Sequence, residues 1–537
     1  MNDLPVTDLQ PAPPLALPGL AHALPSRLQG REVLVLGLGA SGLAMARWCA
    51  RAGARVSVAD TRDQPPQATV LTAEWPQVQV LCSAFDEALF QRAPWALVCR
   101  SPGIAPAQMA GLAGAARAVG IPVLGELDLF ADALRALALP AAEAGVAPYQ
   151  PRVLAITGTN GKTTTTALTA HLLEAAGWSA VVAGNIGPTL LDVLSEQLQG
   201  QALPQAWVLE LSSFQLDGVQ GFEPSAATVL NITQDHLDWH GSMDDYVQAK
   251  GRVFGTQGLR VLNRDDPLVM RWRPEPVPVR DGARTKPQPV QPCTTFGAEP
   301  PRHAGDWGLE TVHGMTWLVR ALPVDDTQRK GGRASPDEAL YMQRLMPAEA
   351  LRIRGRHNAC NALAALALAT AAGAPLAPML HALRDYRGEP HRVEQVAIVR
   401  EVEYFDDSKG TNVGATLAAL TGLGVERRLV VILGGDGKGQ DFTPLADAVA
   451  RYVRAVALIG RDAPRLRAAL AATGVPLQDA GELTAAVQWC AQQARPGDAV
   501  LLSPACASLD QFRDYAHRAQ VFVEAVHDLQ LAEGLPS

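Results

Sequence analysis

Two glycine-rich turns and a set of charged residues at strand ends hold most of the chemistry this chain can do. The first turn in chain order is Gly37-Leu38-Gly39-Ala40-Ser41-Gly42, which opens the helical run SGLAMARWCARAG, and Asp60 closes the next apolar run, VSVAD. Strand, glycine turn, helix and acidic strand end make the arrangement in which amides at a helix N-terminus hold a diphosphate. By itself it favours a dinucleotide dehydrogenase. The plain alternative is a tight turn that needs glycine only for packing, and the identity of any diphosphate stays open here. The second turn is Thr157-Gly158-Thr159-Asn160-Gly161-Lys162-Thr163, between the run VLAI and the helical TTTTALTAHLLEAAG. Its amides can wrap phosphates, the Lys162 ammonium can meet β and γ oxygens, and the Thr163 hydroxyl can ligate Mg²⁺. The full GxxxxGK[ST] pattern lacks its first glycine, because Ile156 stands there.

Magnesium beside a nucleotide needs hard oxygen ligands. Glu210 ends the apolar run WVLEL, so its carboxylate belongs at the C-terminal edge of a parallel sheet, where ligands bind; a capping or surface glutamate is the alternative. Asp235-His236-Leu237-Asp238-Trp239-His240 has the HxxxH spacing of zinc proteases, but Leu237 occupies the place of the required glutamate, which removes that reading. Further on come Asp406-Asp407-Ser408-Lys409-Gly410-Thr411-Asn412, then Gly434-Gly435-Asp436-Gly437-Lys438, then Ser503-Pro504-Ala505-Cys506-Ala507-Ser508. Three strand ends with small and charged residues suggest one crevice shared by several loops, though each alone could be a solvated turn. Cys506 has no evident base in the sequence and reads as a buried small residue.

These residues need scaffolding, and the sequence describes it. Near-continuous aliphatic runs at 32–38, 54–60, 96–101, 152–158, 206–213, 226–233, 428–435, 455–460 and 498–504 alternate with helical segments. That pattern predicts an α/β protein with mostly parallel sheets covered on both faces. With 537 residues, three or four domains are expected. The Ala/Pro-rich segment 138–151, the proline- and charge-rich segment 274–345 and the turn YRGEPHR at 386–392 punctuate the pattern, the second reading as aperiodic surface loops. Domains are accordingly expected at 1–125, 126–388 and 389–537, with 1–29 as a flexible tail.

Net charge is −8, so no overall positive field gathers nucleic acid or an anionic membrane, and an anionic ligand must be held locally. The seven scattered cysteines, without a CxxC pair, read as reduced cytosolic thiols. The opening residues lack a basic stretch and are cut by prolines, unlike a signal peptide. The apolar stretch 358–380 is interrupted by Gly373, Pro375 and Pro378 and is too short to span a bilayer, so a soluble protein with no membrane insertion is expected.

Taken together, GTNGKT, GNIG (184–187), LELSSFQL (209–216), the Asp-His of TQDHLD, GRHNACNALAA (355–365), PHRVE (390–394), DDSKGTNVG (406–414), GGDGKGQDF (434–442) and SPACASLDQF (503–512) resemble the Mur ligases. They run in order over nearly the whole chain and are most similar to the D-glutamate-adding members; the L-alanine-adding members are the nearest relatives to confuse with them. The family's short GTNGK[ST] loop accounts for the missing first glycine. The resemblance implies a Rossmann-like N-terminal domain, a central P-loop ATPase domain and a C-terminal Rossmann-like domain, acting as a cytoplasmic monomer. It implies ATP-dependent joining of D-glutamate to UDP-N-acetylmuramoyl-L-alanine through an acyl phosphate, in peptidoglycan synthesis. The first glycine loop would then hold UDP instead of NAD, with Ala40, Ser41, Asp60, Thr61, Arg62 and Ser101, while Asn185 meets the same substrate. ATP would lie on Gly158, Thr159, Asn160, Gly161, Lys162, Thr163 and Thr164, positioned by Asn358, Asn361, Arg392, Asp407 and Lys409. Thr163 and Glu210 would ligate one Mg²⁺, and His236 with a carbamylated Lys250 a second, making Lys162, His236 and Lys250 the catalytic set. Lys409, Lys438, Thr411, Ser508, Leu509 and Tyr515 would line the D-glutamate pocket, Tyr515 replacing an expected Phe. The rival is an NAD(P)-dependent oxidoreductase, which leaves the second glycine loop unexplained; a nucleotide-gated binding module without bond-forming activity is a third possibility.

Overall fold

The computed structural model describes residues 23–139, 148–275, 278–281, 284–287, 290–323, 340–425 and 427–534. Three sheets carry the loops of interest. In the first, β1 (Glu32–Leu36), β2 (Arg55–Asp60), β3 (Gln79–Cys82), β4 (Trp95–Arg100) and β5 (Val123–Leu124) run parallel in the order β3-β2-β1-β4-β5. The strand order reverses between β1 and β4. The glycine loop after β1 and Ser101 after β4 therefore flank one crevice.

The second sheet contains β6 (Arg152–Thr157), β7 (Ala180–Gly184), β8 (Ala206–Glu210), β9 (Ala226–Val229) and β10 (Leu259–Asn263). A short antiparallel pair, β11 (Pro278–Asp281) and β12 (Arg284–Pro287), precedes its last member, β13 (Cys293–Phe296). The order β13-β10-β9-β6-β8-β7 is parallel throughout and places β6 at its reversal point, so the Lys162 loop emerges beside Glu210, the last residue of β8.

Next comes an antiparallel meander of β14 (Trp307–Val312), β15 (Met315–Pro323) and β16 (Leu340–Pro347). The third sheet has β17 (Glu394–Val399), β18 (Val402–Asp406), β19 (Leu429–Gly434), β20 (Val453–Ile459), β21 (Leu477–Gly481) and β22 (Ala499–Leu502), in the order β17-β18-β22-β19-β20-β21. Only β17 is antiparallel. Since β22 lies between β18 and β19, the three loops singled out after those strands do share one edge.

The first two sheets share a core. Phe130, from the helix Glu126–Ala138, meets Trp207 of β8 edge-on at 5.2 Å and 82°. Burying an indole of about 200 Å² contributes on the order of 5 kcal/mol. Two expectations are corrected. The tail does not extend to 29, because Ala23 and Leu28 are buried in that shared core; residues 1–22 lie outside the described set. The 274–345 segment is not only surface loop. Its meander buries Trp307, Leu309, Leu318 and Met346 against the alanine-rich helix Arg356–Ala372, whose small side chains admit a second layer. Residues 140–147 of the Ala/Pro-rich segment and 324–339 lie outside the described set. No helix among the described residues is long and apolar enough to cross a membrane.

Candidate active site

The crevice of the first sheet is a cleft of about 420 Å³ lined by Ala40, Ser41, Asp60, Thr61, Arg62 and Ser101, the residues that the resemblance assigns to UDP. Phe85, Ile104 and Gln108 also line it, and no short motif announced them. Asp60 accepts the Leu38 amide at 2.7 Å, and Arg62 grips it through Nε at 2.8 Å and Nη2 at 2.7 Å. The guanidinium, chiefly, brings the carboxyl down to about 2. Gly42 is needed for a close approach: a Cβ there would sit 1.9 Å from the Gly37 carbonyl oxygen. Asn185 lies outside this cleft. Its side-chain amide donates to Glu210 Oε1 at 2.8 Å, and its backbone amide to the Glu210 carbonyl at 2.8 Å.

In the second sheet the Lys162 loop leads straight into the helix Lys162–Ala175. Lys162 Nζ lies on the loop's own carbonyls, Gly158 O at 3.0 Å and Thr159 O at 2.8 Å. Asn160 is held from below: its amide donates to Asn231 Oδ1 at 2.8 Å, and Asn231 Nδ2 returns a bond to Asn160 O at 3.0 Å. Thr159 Oγ1 is 2.9 Å from the Tyr246 hydroxyl. Lys250, 2% exposed, donates to Gly158 O at 2.9 Å and lies 4.7 Å from the Tyr246 ring centre. Burial first, then the nearby Lys162 charge, pushes its amine well below the ordinary lysine range. Burial likewise lowers Lys162.

Glu210 is buried and its Oε2 accepts no hydrogen bond. An unpartnered, buried carboxylate oxygen at the strand end next to a phosphate-type loop is the kind of hard donor that suits a nucleotide-bound Mg²⁺. His236 adopts φ 54°, ends the loop after β9, and keeps its ring half exposed against Phe214 at 4.7 Å. Burial lowers it, opposed by Asp235, and the charges of Lys162, Lys250 and Lys438 act in the same direction as burial.

The third sheet closes over this edge. Arg392 Nη2 donates to Thr163 Oγ1 at 2.6 Å, and its Nε is buried without a partner. Asn160 and Asn412 exchange side-chain amide bonds at 3.3 and 3.1 Å. Between the two sheets, Asn358, Asn361, Arg392, Asp407 and Lys409 border a cavity of about 60 Å³. That is well below the few hundred Å³ of a ligand pocket. Asp407, bonded by Ser503 Oγ at 2.6 Å, is raised by burial to about 7. The loops of Lys438 and Ser508 are joined by reciprocal 2.9 Å backbone bonds between Asp436 and Ala507. Lys409 Nζ lies 5.1 Å over the Tyr515 ring, and Thr411 donates its amide to Lys409 O at 3.0 Å. Leu509 points largely into solvent. Arg518, fully buried, fastens this corner by donating to Ser408 Oγ at 3.0 Å, Ser408 O at 2.7 Å and Cys506 O at 3.1 Å. Cys506 is buried, as expected.

Three family models match the chain: "Mur ligase MurD-like, N-terminal domain" over residues 31–125, "Mur ligase middle domain" over 156–280 and "Mur ligase, glutamate ligase domain" over 391–506. Among similar curated proteins, a UDP-N-acetylmuramoylalanine–D-glutamate ligase of Albidiferax ferrireducens is 61% identical over 94% of this chain and 98% of its own length. Ligases of the same name from Polaromonas and Burkholderia mallei are 52% and 57% identical, covering 95% and 94% of this chain and 99% and 98% of theirs. Among solved structures, the MurF ligase of Thermotoga maritima in complex with ADP aligns over 95% of this chain and 97% of its own, with a TM-score of 0.54 at 16% identity. A MurF of Acinetobacter baumannii gives 0.52 at 16% identity over 93% and 92%. These two likenesses are of fold.

Proposed function

The chain belongs to the Mur ligase family, and from that premise we propose how its three sheets divide one reaction. The protein is an ATP-dependent ligase that adds D-glutamate to UDP-N-acetylmuramoyl-L-alanine in peptidoglycan synthesis. We assign residues 1–125 to the UDP-substrate, 126–388 to ATP and 389–537 to the amino acid. The cytoplasm is the proposed compartment and a monomer the proposed unit.

In the first half-reaction the L-alanine carboxylate attacks the γ-phosphorus, an O–P bond forms, the bond to ADP breaks, and an acyl phosphate results. In the second, the D-glutamate amine adds to that carbonyl carbon, and the tetrahedral intermediate expels phosphate as the amine loses a proton. A carboxylate is a poor electrophile, and phosphorylation provides the leaving group. The observation that carries this reading is the convergence of cations. Lys162, Lys250 and Lys409 gather around Glu210, with Arg392 beside Lys162 and Lys409 and with Lys438 near His236, an environment suited to a polyphosphate and two carboxylate substrates.

Lys162 leaves its own carbonyls for the γ-phosphate, and Arg392 leaves Thr163. Asn358, Asn361, Asp407 and Lys409 border the nucleotide, and Asn185 orients the alanyl end beside Glu210. Thr163 and Glu210 would hold one Mg²⁺, and His236 with Lys250 a second. The ions neutralise phosphate charge when bound. An ammonium cannot ligate a cation, so Lys250 serves only as its carbamate, which forms from the neutral amine that burial favours. Lys409, Lys438, Thr411, Ser508 and Tyr515 face D-glutamate, with Leu509 at the rim. ADP release measured with and without each substrate tests the assignment: dependence on both UDP-N-acetylmuramoyl-L-alanine and D-glutamate is expected, and release independent of either refutes it.

A further inference from the structure

The helix Glu126–Ala138 begins with a carboxylate that none of the steps above uses. Glu126 is 3% exposed, its Oε1 accepts the Leu191 amide at 3.1 Å, and its Oε2 has no hydrogen-bond partner. It stands where three helices meet: its own, Ala40–Arg51 rising from the first glycine loop, and Leu190–Gln199 following the Asn185 loop. The Ser41 side chain, at the start of the first of these, faces it. The neighbouring charges are accounted for. Asp192 is the charge that acts on it, and Arg47 pairs with Asp192 at 3.3 Å and with Glu74 at 2.6 Å. Arg51 is turned to Ser195 at 2.9 Å. Asp128, on the same helix, is turned to the Gly125 and Gln220 amides at 2.8 and 2.6 Å. The short helix Ser213–Leu216 contributes no charge. No cation pairs with Glu126 among the described residues.

We propose that Glu126 is a positioning residue that ties the UDP-diphosphate loop to the Leu190–Gln199 helix and takes up a proton when the nucleotide substrate binds. The proposal rests on the assignment of UDP to the first crevice. One end of the substrate is gripped at Ser41, and its carboxylate is delivered to Glu210, which Asn185 holds. Glu126 lies between the Ser41 side chain and the helix that follows Asn185, whose Leu191 amide it accepts, so its charge state bears on both ends. A diphosphate brought to Ser41 repels an ionised carboxylate behind it, and a neutral carboxyl instead offers an O–H donor from the vacant Oε2. Burial already raises this group to about 7, with the Ser41 side chain and the Leu191 amide opposing, so little is needed to complete its protonation.

The test is calorimetric binding of UDP-N-acetylmuramoyl-L-alanine in two buffers of different ionisation enthalpy, with KM and kcat followed between about pH 6 and 8. Wild type is expected to take up a fraction of a proton and to lose affinity above neutrality, by at most about tenfold per pH unit. Glu126→Gln keeps the Oε1 acceptor and is expected to take up none and to show a flat KM profile. Glu126→Ala loses the tie as well and is expected to raise KM at every pH. Binding by wild type without proton uptake overturns the proposal and leaves the ligase assignment standing, whatever the variants do. Equal uptake by wild type and Glu126→Gln also overturns it. Absence of binding by wild type overturns both.

Discussion

Replacing Lys250 by methionine should make the protein more stable and inactive at once. The Lys250 ammonium is fully enclosed, with two neutral acceptors, Gly158 O at 2.9 Å and Thr157 Oγ1 at 3.4 Å, and the Tyr246 ring face. Removing an ammonium from water costs several kcal/mol even after relaxation. One good charged hydrogen bond returns about 2 kcal/mol and the ring face about 1 kcal/mol. The longer second bond returns little. Methionine fills a similar volume with no charge to desolvate, so a net gain of about 1–3 kcal/mol is expected in carbon dioxide-depleted buffer. For a unit of this size that raises the melting temperature by about 2–12 °C. The sign with pH follows from the lowered amine: the unfolded chain binds this proton more tightly than the folded one does. Wild-type stability therefore rises with pH, and the methionine advantage shrinks. Differential scanning calorimetry reads this. In parallel, ADP release by Lys250→Ala should fall by about two orders of magnitude and be partly restored by formate or acetate with Mg²⁺, which supply the missing oxygen ligand. Turnover by Lys250→Ala near the wild-type rate without added carboxylate refutes the reasoning, and so does a methionine variant that melts earlier than wild type under depletion.

Lys162→Ala should abolish acyl-phosphate formation, since one charge at a transferring phosphoryl group is worth several kcal/mol; phosphate exchange near the wild-type rate would contradict it. Arg62→Ala should raise KM for the UDP-substrate by about tenfold with KM for ATP unchanged, because Arg62 and Asp60 border only the first crevice; equal losses would count against separate sites. Lys409→Ala and Ser508→Ala should each raise the apparent KM for D-glutamate, an ammonium and a hydroxyl being suited to its side-chain carboxylate. Unchanged D-glutamate dependence in both would move the pocket elsewhere.

What the sequence made legible was local. Each glycine loop carries its strand, turn and helix within about twenty residues, so backbone conformation and ligand class can be argued from one window. Glu210 was legible for the same reason, as a lone carboxylate at the end of an apolar run. Partners brought in from afar were not. Asn160 and Asn412 are 252 positions apart, and nothing in either neighbourhood names the other. Arg518 is fully enclosed where Ser408 and Cys506 present their carbonyls, and no pattern near it in the chain names either residue. Glu126 reads as an ordinary acidic residue in a first helical turn. The meander of β14, β15 and β16 was missed because prolines and mixed charges hide its alternation, and its buried face exists only where an alanine-rich helix comes close.

The clasp between Asn160 and Asn412 has a consequence for the pace of turnover. Its two bonds are between neutral amides, and each contributes only about 1 kcal/mol, so holding the sheets together through it slows their separation by little more than one order of magnitude. A carboxylate and guanidinium at the same spot would grip harder, change strength with ionic strength, and alter the field around the phosphates. An uncharged catch does none of these. Its strength is expected to be the same in dilute and in concentrated salt.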